Sequence, residues 1–103
     1  MSQESDWKKF RNITTKARVR YLTEQNTLLL KILTDPERNE TERFWDTLKR
    51  MKEVGKILSD CLDDNSRSRM EIHMRLMLHF RMLVQEDLDG FSDELQTRLR
   101  SAE

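Results

Sequence analysis

Residues 70–84 read "MEIHMRLMLHFRMLV", and ten of these fifteen are apolar, four of them methionine. The chain around them is 37% charged and only 36% hydrophobic. At about 100° per residue, Ile72, Leu76, Met77, Phe80, Leu83 and Val84 fall on one arc of a helix with Met70 at its edge, and that arc suffices for a bundle helix. Met74, Leu78 and Met82, four apart, line the opposite side among Glu71, Arg75 and Arg81. A helix apolar on two faces is buried on both. Its second face needs a central position inside the fold, a second copy of the chain, or another protein. Met70, Met74, Leu78 and Met82 are therefore the candidate partner-binding residues.

Working outward, the pattern implies helices throughout. Two Gly and one Pro leave little punctuation for strands and hairpins. The first helix is expected from Ser5 or Asp6, either a possible N-cap, to Leu33. Trp7, Phe10, Thr14, Ala17, Tyr21, Leu28 and Ile32 share one side of it, broadened by Leu22, Leu29 and Leu33. "TDPERNETERFW" (34–45) interrupts it, because Pro36 disfavours helix at Asp35. Asn39 and Glu42 have capping-box spacing, so the second helix starts at Pro36 or Glu40 and ends near Leu62. Phe44, Leu48, Met51, Gly55, Leu58 and Leu62 form its stripe, widened by Trp45, Val54 and Cys61. Gly55 there costs about 1 kcal/mol against Ala, which a close helix crossing would explain. "DDNS" (63–66) turns the chain into a third helix over 67–87. Gly90 suits the left-handed position that ends a helix, and Ser92 can cap a short last helix carrying Leu95 and Leu99.

The expected fold is all-α: an antiparallel helical bundle of three long helices plus a short C-terminal helix. It forms a single domain over 1–103, with 1–5 a disordered tail. The 19 basic and 19 acidic residues balance, which argues against a disordered polyelectrolyte. Cys61 is alone, so no internal disulfide forms and a reducing compartment is expected. "MSQESDWKKF" has no signal-peptide core, and no run reaches the roughly 18 apolar residues of a membrane span. The expected localisation is cytoplasmic.

Chemistry finds little purchase. His73 and His79 point to different sides of one helix, and no helical zinc spacing or cysteine pair exists. Cys61 sits on an apolar stripe and reads as an inert buried thiol. Glu37 with Glu40, and Glu86 with Asp89, have the spacing that magnesium-dependent nucleotide hydrolases use, but lie far apart beside helix ends. No phosphate loop or nucleophile elbow is present. No metal or cofactor is expected, and a hydrolase is a distant reading.

Lys8, Lys9, Arg11, Lys16, Arg18 and Arg20 put six positive charges on the first helix between Trp7 and Tyr21 with no acid among them. Such a stretch is a nucleic-acid-binding candidate. The last eighteen residues are acidic by comparison and could neutralise it inside a bundle. Arg67, Arg69 and Arg75 after a four-residue turn loosely resemble a helix-turn-helix entry, but a recognition helix would not present Met74 and Leu78 outward. The leading expectation is a small non-enzymatic interaction or regulatory protein, homodimeric through helix three. The alternative is a nucleic-acid-binding regulator using the basic half of helix one.

Overall fold

A computed structural model describes residues 2–101, and every regular element among them is helical. Helix α1 spans Ser2–Leu33 and α2 spans Glu40–Leu62. A 3-10 turn at Arg67–Arg69 leads into α3, Met70–His79, and a second at Gln85–Leu88 precedes α4, Asp93–Ser101. At 32 residues, α1 is about 48 Å long and accounts for most of the 56 Å long axis. Residues 2–5, expected as a tail, belong to its first turns, and Arg67 donates to the Glu4 carboxylate at 2.9 Å. Residue 1 lies outside the described residues.

The turn between α1 and α2 follows its sequence signals. Asn39 Oδ1 accepts from Glu42 N–H at 2.8 Å, and Glu42 Oε1 accepts from Asn39 N–H at 3.0 Å. This reciprocal pair satisfies N–H groups that no helical carbonyl can reach and fixes the start at Glu40. Arg43 clamps the loop by donating twice to the Asp35 carbonyl, at 3.0 and 2.8 Å. The two helices run antiparallel: Arg50 donates to the buried Gln25 Oε1 at 2.8 Å, while Glu4 meets Arg67.

The third segment departs from expectation. Helix is expected over 67–87, but α3 ends at His79 after ten residues. Met82 N–H donates to the Met77 carbonyl at 2.7 Å and Arg81 N–H to the Leu78 carbonyl at 3.1 Å. These are the two bonds of a Schellman stop. The left-handed residue that the stop demands is Arg81, at φ 60°, whereas neither glycine has positive φ. The bundle therefore has two long helices, with the third expected one replaced by α3, a tight turn and the 85–88 segment.

One core runs through the molecule. Phe10, Ala17 and Tyr21 from α1 and Val54, Cys61 and Leu62 from α2 join Met70, Met74 and Met77 from α3. Met82, Leu83, Leu88, Phe91, Leu95 and Leu99 close the other side. Helix α3 packs on α2, and α4 packs on α3.

Candidate interaction surface

Met70, Met74 and Met82 are buried in that core, and Leu78 is half-buried against it. The surface expected to meet a partner is thus covered by the chain itself, because the stop at Arg81 folds Met82 and Leu83 back under α3. Conversely Ile72, placed on the core arc by the sequence, is 56% exposed. The central position is the arrangement that this segment adopts.

The surplus apolar surface lies on the α1–α2 hairpin instead. Thr47, Val54 and Cys61, seven apart and buried, form the seam of α2 against α1. Phe44, Leu48, Met51, Gly55 and Leu58 lie about 90° round the helix from that seam. Phe44 is 58% exposed, Met51 52%, and Trp45 beside them 59%, its ring edge-on to Phe44 at 5.0 Å. On α1, Leu22 and Leu33 turn about 100° in the same sense from the seam through Thr14, Ala17 and Tyr21. Equal turning sense puts both stripes on one side of an antiparallel pair. There Arg18, Leu22, Gly55, Leu58, Ser59, Leu62 and Asp63 surround an open groove of about 320 Å³.

The opposite side of the hairpin is occupied along the first half of α1, whereas toward the loop Leu28, Ile32, Pro36 and Arg50 line an open groove of about 620 Å³. Asp6 accepts from Ser92, Lys9 donates to the Gly90 carbonyl, and Arg20 donates to Asp87 at 2.7 Å and to the Met82 carbonyl at 2.9 Å. Burial alone would raise the Asp87 carboxyl, but the Arg20 guanidinium and Val84 N–H together hold it below its ordinary value. Lys9 and Arg20 thus serve the fold, whereas Lys8, Arg11, Lys16 and Arg18 stay exposed. Arg11, Lys16 and Arg18 have no ion-pair partner among the described residues, and neither does Lys52 of α2. The six-residue basic set is split between two sides. The acidic end supplies Asp87 as a neutraliser; Glu103 lies outside the described residues.

Gly55 is exposed, and a Cβ added there meets nothing within 4 Å. The close crossing expected from its sequence position does not occur within this chain. Because the stripe is the cleanest helical pattern in the sequence, it reads as core; Thr47, which carries the seam, gives no apolar signal.

Groups with reactive potential are held quiet. Burial pushes the Cys61 thiol up to about 11, so it carries its proton at neutral pH. His73 is 2% exposed with Nδ1 unpartnered, and burial, aided by the charge of Arg69, lowers its pKa. Among the described residues no group of three His, Cys, Asp or Glu side chains is placed to hold a metal ion, and no helix is long and apolar enough to cross a membrane. Comparison with protein-family models, curated proteins and solved structures gives no match.

Proposed function

We propose that this chain is a non-catalytic interaction module that takes a protein partner on the open side of the α1–α2 hairpin, in a reducing, cytoplasmic setting. One observation carries the reading: Phe44 and Met51 stand more than half exposed on one helical stripe of α2, on the side of the hairpin away from the contacts that Asp6, Lys9 and Arg20 make with residues 82–92. Contiguous apolar patches of this kind mark contact sites on small soluble proteins. The test compares what co-purifies with the native chain and with a Phe44→Glu/Met51→Glu variant. Both positions are exposed, so the variant keeps its helicity and melting temperature and loses its partner; unchanged co-purification overturns the proposal.

Homodimerisation, expected through helix three, would have to use this side instead, and sedimentation of the same two proteins decides it. A second reading, nucleic-acid binding, draws on Arg11, Lys16 and Arg18, which have no ion-pair partner among the described residues. It requires an affinity that falls steeply with salt and drops when these three are neutralised.

A further inference from the structure

A depression of about 370 Å³ lies where α2 gives way to α3, at the small end of the roughly 300–1,000 Å³ that ligand sites occupy. Asp60 lines it from the last turn of α2, Asp63 and Asp64 from the turn that follows, and Arg69, His73 and Leu76 from the start of the next segment. The carboxyl end of a helix carries partial negative charge that basic side chains ordinarily offset. The last turn of α2 has no basic residue, and the three aspartates add to that charge. Lys56 pairs with Asp60 at 3.2 Å. The Asp63 carboxylate accepts from the Ser59 hydroxyl at 2.8 Å, and neither Asp63 nor Asp64 has an ion-pair partner among the described residues.

Aspartates at an exposed helix end are, by themselves, a solvated surface. His73 makes this one different. It belongs to the same lining, is 2% exposed, and its Nδ1 has no hydrogen-bond partner. Buried polar atoms are almost always paired, so an imidazole left open beside unpaired carboxylates asks for a donor from outside the chain. Its pKa lies below the ordinary 6.5, so at neutral pH the ring is uncharged and offers an acceptor. An anion would meet three carboxylates against the single guanidinium of Arg69. A bare metal ion is not served either, because no three His, Cys, Asp or Glu side chains among the described residues are placed to hold one. We propose that this depression binds a primary ammonium group, whose three N–H bonds go to Asp63, Asp64 and the His73 imidazole, with the attached methylenes over Leu76. The site stands whether or not the hairpin side takes a protein.

The test titrates the full chain with putrescine and, as the other source of the same group, with N-acetyl-lysine methylamide. Tetramethylammonium, which has the charge and no N–H, and magnesium ions are the controls. Backbone amide shifts and the His73 ring-nitrogen signals report the site. Saturable shifts confined to residues 59–76, with movement of the His73 signals, are expected for at least one amine. Tetramethylammonium should bind at least about tenfold more weakly, as the loss of charge-assisted hydrogen bonds implies. Putrescine alone would mark a free amine as the ligand, and the lysine probe alone a partner's side chain. Asp64→Asn should weaken amine binding at least about tenfold. Its backbone is left-handed, at φ 57°, where Asn is as well accepted as Asp, so helicity and melting temperature should hold. Arg69→Gln, also at an exposed site, removes the one like charge in the lining and should tighten binding. An equal response to tetramethylammonium or magnesium would reduce the site to charge attraction and overturn the proposal. So would silent His73 signals, no response to either amine, indifference to Asp64→Asn, or weaker binding in Arg69→Gln.

Discussion

Asp6, in the second turn of α1, accepts both the backbone N–H of Ser92 at 2.8 Å and its hydroxyl at 2.6 Å. Ser92 in turn caps α4, its Oγ accepting from Leu95 N–H at 3.3 Å. A single carboxyl, 3% exposed, therefore ties the first helix to the N-terminus of the last. Sequence inspection treats Asp6 as a possible cap for its own helix; the structure makes it an anchor for another.

Replacing Asp6 by Ala leaves the half-buried Ser92 N–H without its acceptor. Such losses cost about 2 kcal/mol, read as a lower denaturant midpoint. In a double-mutant cycle with Ser92→Ala the two effects should fall well short of adding; simple additivity would show that the pair is not coupled.

Arg81 holds a backbone conformation in which an L side chain costs about 1–2 kcal/mol and glycine costs almost nothing. Arg81→Gly is expected to stabilise the fold by about 1 kcal/mol. Arg81 is exposed, so little packing is lost. A decrease in stability would mean that the stop at His79 depends on the arginine side chain.

Two methionines separate core from surface. Met74→Ala, at a fully buried site, should cost about 2–5 kcal/mol. Met51→Ala should stay within about 0.5 kcal/mol of the parent, since half its surface is already wet. Similar penalties at the two sites would mean that α3 is not the central element.

Acidification should weaken the protein in two stages. The His73 imidazole is held below its ordinary value of 6.5, so the unfolded chain takes up a proton that the folded chain resists. Stability is full above that value and falls as pH drops below it, until the folded imidazole titrates too. Hydrogen bonds from Arg98 and Arg75 depress Glu71, and Asp87 is also depressed. Carboxylates so held contribute stability above their unfolded values that is lost as pH falls through the folded ones. Denaturant midpoints measured against pH should lose the upper stage in His73→Leu and keep the lower.

With its thiol at about 11 and no exposed surface, Cys61 should resist a thiol reagent at pH 7 in the native state. Its labelling rate should climb with urea in parallel with unfolding. Rapid native labelling would contradict its placement in the core.

The local signals of this sequence translate faithfully. Asn39 and Glu42 form the box that their spacing announces, Ser92 caps α4, and α2 ends at Leu62. What misleads are the features settled by tertiary competition. The segment after His79 keeps a helical apolar period and contains no Gly or Pro, so nothing in it advertises a stop. At the stop Met82 and Leu83 fold under α3 and are almost fully buried, a tertiary placement that the local sequence does not encode. Similarly, Phe44, Leu48 and Met51 form a stripe as regular as any core, while the real seam passes through Thr47, a residue with no apolar pattern of its own. Periodicity reports that a helix has a greasy side; it does not report which of two greasy sides the neighbouring helix takes. For that reason Met70, Met74 and Met82, expected on an outward face, lie in the core, while Phe44, Trp45 and Met51 of α2 are exposed.

The lacing of Asp6 to Ser92 has a practical corollary. Both ends of the described chain emerge at the same pole, some tens of ångströms along the 56 Å axis from the loop at Pro36. A fluorophore, affinity tag or fused domain attached at either terminus would ride at that pole. The Phe44 end would remain unencumbered, a ready arrangement for displaying this hairpin on a bead or a sensor chip.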